Sequence, residues 1–167
     1  MFAFDLSKAT SKSVIGQSSI EIAKPVSEVY DFVVEHFFEN YTLWALEVVE
    51  FKPVNDNKMD VGALACQTRI DQGQKIESTF EVVTIEKDKL LVLNGLSSPF
   101  RNSYIFDSIE SDTKTRLTFS FELLEIELFM RPFEKLIRVA IEEGTHNTVN
   151  NIKNLLIPDT ESEAKPD

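Results

Sequence analysis

The side chains best placed to do chemistry in this chain are neutral. Strand alternation puts Ser18, Cys66, Thr68, Ser78, Tyr104 and Ser108 on the inward side of a sheet, and helical spacing adds Thr148. Hydroxyls and a thiol can orient a neutral ligand by hydrogen bonding, whereas moving protons at neutral pH needs a titratable group within reach. No Asp, Glu, His, Lys or Arg belongs to this inward set. Glu122, Glu125 and Glu127 close the last strand, and one would turn inward only if a bulge shifted the register. Glu77, Thr79 and Glu81 form a stripe on the outer face. The two histidines, His36 and His146, fall in separate helices, and His146 points away from the core. A zinc site needs about four convergent ligands, so no metal site is expected. With only five glycines there is no Gly-rich phosphate loop, and no nucleophile elbow is present. Neither catalytic residues nor a cofactor is therefore expected.

The elements that must carry these groups follow one another as strand, short helices, strands and long helix. Residues 13–24 alternate, with Val14, Ser18, Ile20 and Ile22 on one side. Pro25 starts a helix carrying Val29, Phe32, Val33 and Phe37 at helical spacing, and 38–45 reads as a second short helix containing Trp44. Five further strands are separated by turn chemistry at 55–57, 71–74, 87–88, 97–99 and 111–114. Residues 128–157 read as one long helix, with Pro132 in its first turn and Pro158 as its stop. Phe133, Ile137, Ala140, Ile141, Gly144, Thr148, Ile152 and Leu155 share one side of it. The middle of that face is thin, and glycine there costs about 1 kcal/mol relative to alanine. Either the helix approaches the sheet closely at Gly144, or space is kept there for a ligand.

Three hairpin registers can be argued, because opposed residues must share a face. In the first, Thr68 pairs with Ser78, Cys66 with Phe80 and Ile70 with Ile76, leaving Gln67 and Arg69 outside. In the second, Leu91 and Leu93 join Val82 inside. In the third, Phe106 meets Phe119 and Tyr104 meets Phe121.

Composition bounds the function classes. The 167 residues fit one domain: a polar arm at 1–12, the domain at 13–157, and an acidic tail at 158–167 read as disordered. The net charge of −11 opposes nucleic acid and anionic lipid surfaces. A single cysteine allows no intrachain disulfide, and no segment reads as a signal peptide or a membrane span. A soluble, cytoplasmic protein is expected. Thirteen phenylalanines against one tryptophan and three tyrosines suit a core or an apolar cavity, since that ring needs no hydrogen-bond partner.

The run Lys24-Pro25-Val26-Ser27-Glu28-Val29-Tyr30-Asp31-Phe32, closing a strand and opening a helix, resembles the START/Bet v1-like superfamily. Within it, the likeness is to the polyketide cyclase/dehydrase and lipid-transport (SRPBCC) family. Trp44, Val61-Gly62, Thr115-Arg116-Leu117-Thr118 and the long closing helix are similar to its landmarks. The resemblance covers residues 13–157. It implies an α+β helix-grip fold: a curved antiparallel sheet of about six or seven strands around the C-terminal helix, with two short helices after strand 1. It also implies an apolar cavity. Cys66, Thr68, Phe80, Tyr104, Phe106, Phe119, Phe121, Ile137, Gly144 and Thr148 are the residues expected to line it. Arg131 opens the last helix, where it would meet an acidic headgroup or simply face water.

The expected function is binding or carriage of a small hydrophobic molecule such as a lipid, a quinone or a polyketide-like ring system. A cyclase or dehydratase would instead need Tyr104, or a carboxylate such as Glu125, inside the cavity. A third reading is a protein-interaction module resembling the quinone-chaperone and ribosome-associated toxin branch, which would require a protein partner.

Overall fold

Pro25 and a series of left-handed turn residues divide the chain into its elements. The computed structural model describes residues 13–56 and 58–158; the expected arm, and all of the expected tail beyond Pro158, lie outside them. Strand β1 is Val14–Ile22, and Pro25 then caps a short helix, α1, Val26–Tyr30. A π-helical stretch, Asp31–Glu35, links it to α2, Phe37–Trp44. The remaining strands are β2 Val48–Pro53, β3 Leu64–Asp71, β4 Gln74–Glu86, β5 Leu90–Gly95, β6 Phe100–Ile109 and β7 Lys114–Leu123. They form one antiparallel sheet in the order β1-β7-β6-β5-β4-β3-β2. The closing helix, α3, is Glu134–Leu156 and lies along β1 and beside β7, with α2 near its second half.

The long helix differs from expectation at its start and in its rotation. Residues Leu128–Phe133 form a 3-10 segment containing Pro132. Proline has no N–H to give and disfavours the α conformation in the residue before it, so the α-helix begins only after Pro132. The buried residues of α3 are Thr145, Val149 and Ile152. Ile152 belongs to the expected face, whereas Thr145 and Val149 stand one position beyond Gly144 and Thr148, so the packed side of the helix is rotated toward them. The close approach to the sheet uses a different glycine. A Cβ on Gly16 of β1 would stand 2.5 Å from Ile141 Cγ2 and 3.0 Å from the Glu142 nitrogen. Next to that contact, Ser18 and Thr145 hydroxyls lie 2.9 Å apart.

Two of the three expected registers shift. β3 and β4 are joined by a two-residue turn in which Gln72 and Gly73 both have positive φ, 49° and 79°. This geometry matches the twist of paired strands, so it is favoured for the tightest hairpins. It pairs Asp71 with Gln74, and hence Cys66 with Thr79 and Gln67 with Ser78. That is one residue from the expected pairing, and one residue exchanges the faces of β3. Cys66 is exposed and Thr68 shares its outer face; Ala65 and Gln67 are buried in their place. Arg69, expected outside, comes to the inward side at the β3 end, where its charge acts on Tyr41. In the β6–β7 hairpin Tyr104 pairs with Phe119 and Phe106 with Leu117. That slip is two residues, so every side chain keeps its expected face. No bulge interrupts this pair: Glu122 lies opposite Arg101 on the outer side, and Glu125 and Glu127 are exposed beyond the strand. In β4 and β5, Val82, Leu91 and Leu93 are buried as expected, despite a bulge between Val82 and Thr84.

The inverted register makes a direct prediction. A thiol reagent should modify Cys66 in the native protein at close to the rate seen in denaturant. Protection of Cys66 on the timescale of global unfolding would restore the alternative register.

Candidate functional site

Aromatic side chains from α2 fill the interior on the β2–β4 side of the sheet. Phe37 is fully buried, with ring centroids 4.8 Å from Tyr41, 6.2 Å from Phe80 and 6.2 Å from Tyr104. Phe51 stacks on Phe80 at 5.9 Å. Beneath these rings the Tyr41 hydroxyl donates to Gln67 Oε1 at 2.9 Å, and Gln67 Nε2 donates to Ser78 Oγ at 3.0 Å. Four of the expected residues, Phe80, Tyr104, Phe106 and Phe119, lie in the packed core. Phe80 belongs to this cluster, and Phe106 packs edge-on against Tyr30 of α1 at 5.3 Å.

On the other side, α3 packs along β1 and beside β7. The helix is placed there by the contacts of Ile141 with Gly16 and of Thr145 with Ser18. Gly144 lies between them. Gly16 and Ser18 pair with Phe121 and Phe119 of β7, which in turn pair with Asn102 and Tyr104 of β6. Gly144 is therefore level with these four side chains. It also lies two helical turns before Asn151, on the same face. Asn151 Nδ2 donates to the Trp44 carbonyl at 3.0 Å, so at that level this face of α3 meets α2. Gly144 is exposed and nothing stands within 4 Å of where its Cβ would be, so of the two readings of this glycine close contact with the sheet is excluded.

The inner face of the sheet beside α3 is neutral. Inward positions of β1, β5, β6 and β7 carry no charged residue, and neither do Ile137, Ala140, Gly144 and Thr148 of α3. Burial, with the Tyr41 phenol and Glu47 adding to it, holds the Tyr104 phenol well above its ordinary pKa; the Trp44 hydrogen bond opposes the shift. Tyr104 can therefore donate or accept a hydrogen bond at neutral pH but does not ionise. Trp44 Nε1 donates to its oxygen at 3.4 Å. The Thr148 hydroxyl is spent on the Gly144 carbonyl at 3.0 Å, a satisfied helix contact. His36 is exposed and its pKa is raised, chiefly by its hydrogen bond to the Asp31 carbonyl, while His146 also faces outward. Among the described residues no group of three or more His, Cys, Asp or Glu side chains could hold a metal ion.

An open sheet of seven antiparallel strands, two short helices after β1 and a long closing helix over the β1–β7 edge together define the architecture. Similar solved structures share it. The Zhui aromatase/cyclase of a Streptomyces species aligns with a TM-score of 0.70 at 7% identity, over 86% of this chain and 93% of that one. The fold is the Bet v1-like helix grip. Norcoclaurine synthase of Thalictrum flavum aligns with a TM-score of 0.69 at 11% identity, over 89% of this chain and 97% of that one. A Polyketide_cyc-like protein of Corynebacterium glutamicum aligns at 0.62 and 20% identity, over 93% and 99%. No protein-family model and no curated protein sequence matches the chain.

Within this helix grip the ten expected cavity residues separate into three sets. Phe80, Tyr104, Phe106 and Phe119 are buried in the core with Phe121 packed against it, while on α3 Ile137 and Thr148 are half-buried and Gly144 is exposed. Cys66 and Thr68 instead line an open pocket of about 420 Å³ on the outer face of β2–β4, with Glu50, Lys52, Glu77, Thr79 and Ser97. The Cys66 sulfur lies 3.4 Å from the Thr79 hydroxyl there. Arg131 is exposed on the 3-10 segment. One inward polar residue escaped the sequence reading. Asn102 shares the inward alternation of Tyr104 and Phe106, and strict period-two counting along β6 finds it.

Proposed function

We propose that this chain is a noncatalytic binding or carrier protein for a small apolar molecule, seated in a groove between α3 and the inner faces of β6 and β7. The observation that supports the reading is the neutral, mainly aromatic inner face of β6 and β7, level with a helix position, Gly144, that leaves open space beside it. Ligand sites are mostly apolar with few polar groups. Burial of apolar surface at about 25 cal/mol per Å² can hold such a ligand without a charged anchor. Lipids, quinones and polyketide-like rings fit this description. No helix among the described residues is long and apolar enough to cross a membrane. A cytoplasmic location, without nucleic acid or stable membrane insertion, belongs to the same proposal.

A cyclase or dehydratase reading draws on the likeness to the Zhui aromatase/cyclase and on the inward Tyr104 hydroxyl. Proton transfer at neutral pH works best with a group whose pKa lies near that pH, and burial moves Tyr104 away from it. The acidic candidate, Glu125, is exposed beyond β7. Binding is therefore the stronger reading.

Native mass spectrometry of freshly purified protein, followed by titration with an apolar fluorescent probe, tests it. A copurifying small molecule, or micromolar probe binding, is expected. Affinity should vary less than about twofold between pH 5 and 8, the range in which histidine is the side chain that ordinarily changes charge. A single titration near neutrality that governs affinity and disappears in Glu125→Gln would favour the enzyme.

A further inference from the structure

The buried side-chain oxygens left without a hydrogen-bond partner among the described residues are Asp88 Oδ1, in the β4–β5 turn, and Asn102 Oδ1. Asn102 is the informative one. It is 8% exposed and projects from the inner face of β6. Its neighbours across the sheet are Leu93 of β5 and Phe121 of β7, neither of which can bond an amide. Every other polar side chain buried on this face has a partner: Gln67 with Tyr41 and Ser78, Tyr104 with Trp44, Thr145 with Ser18, and Thr115 with the Lys24 carbonyl. Leaving a buried polar group unpaired is costly, and native proteins rarely tolerate it without a reason.

Resting on the binding reading above, we propose that Asn102 is the polar anchor of the groove and that its ligand is an uncharged, largely apolar molecule bearing a hydroxyl group. A pure hydrocarbon leaves the amide unsatisfied. An ionised carboxylate or ammonium would enter a wall with no opposite charge, at a large desolvation cost. A hydroxyl both donates and accepts, so it satisfies whichever end of the amide it meets. Tyr104 stands two residues along β6 on the same face, roughly 7 Å away by strand geometry. Its hydroxyl has one bond among the described residues, from Trp44, and its own proton remains to offer a second contact.

The test compares 2-naphthol with 2-methylnaphthalene, probes of similar shape that differ in the hydroxyl, on wild type and Asn102→Leu. Wild type should prefer 2-naphthol by about tenfold, the worth of one hydrogen bond made in place of an unmade one. Asn102→Leu should abolish that preference while binding 2-methylnaphthalene at least as well. Its urea midpoint should be unchanged or raised, because an unpaired amide has been removed. Equal affinities in wild type would overturn the anchor while leaving apolar binding intact. Persistence of the preference in Asn102→Leu would assign it to another group, and a destabilised or unfolded variant would make the amide structural; either overturns the proposal. Failure of wild type to bind either probe removes the binding reading and the anchor with it.

Discussion

Phe37→Ala should lower the unfolding midpoint more than any other single change considered. Phe37 is fully buried and holds Tyr41, Trp44, Phe51, Phe80 and Tyr104 around itself through stacked and edge-on contacts. Truncating a buried phenylalanine costs about 3–5 kcal/mol, part transfer energy and part cavity. For a domain of this size that corresponds to a loss on the order of 10 °C in Tm. Thermal unfolding followed by near-ultraviolet circular dichroism measures it, since Trp44 sits against the same ring. A loss under about 1 kcal/mol would mean that α2 does not fill the interior and that the space beneath it is open.

Gly144→Trp should reduce binding of an apolar probe by more than about a hundredfold while leaving the fold intact, because the indole projects into open groove and replaces the ligand's buried area. Gly144→Ala should stabilise the protein by up to about 1 kcal/mol, since alanine is the better helix former and nothing obstructs its methyl. Gly16→Ala supplies the contrast. Its methyl meets Ile141 and the Glu142 backbone, and overpacking of that kind costs about 1–3 kcal/mol. Chemical denaturation and probe titration on the three variants separate the effects. Loss of stability in Gly144→Ala, or full probe affinity in Gly144→Trp, would remove the groove from consideration as the site.

Much of this architecture is legible along the chain. The order of elements, the turn positions and the inward sets of β1, β4, β5, β6 and β7 all follow from apolar alternation. Alternation is robust to error: the β6–β7 pairing slips by two residues between expectation and structure, yet Tyr104, Phe106, Phe119 and Phe121 stay inside. Asn102 was equally readable by the same count. Its amide polarity argues for the surface only when the residue is judged alone.

Three features were decided by the tertiary structure. In β3, Leu64, Cys66, Thr68 and Ile70 are more apolar than Ala65, Gln67 and Arg69, so pattern alone selects the wrong face. The tight Gln72–Gly73 turn sets the register, and Tyr41, brought in by α2, gives the buried Gln67 its partner. In α3 two adjoining stripes are both partly apolar. The side that packs is the one holding Ile141 and Thr145, which meet Gly16 and Ser18 of β1, residues more than a hundred positions away. The packing of the phenylalanines in the core likewise depends on where α2 docks. In β1, β4, β5, β6 and β7 chain patterning determined which faces turn inward, because that depends on each residue and its near neighbours. What each inward face meets is settled by partners distant in sequence, and the proposed groove rests on the space beside Gly144 that none of them occupies.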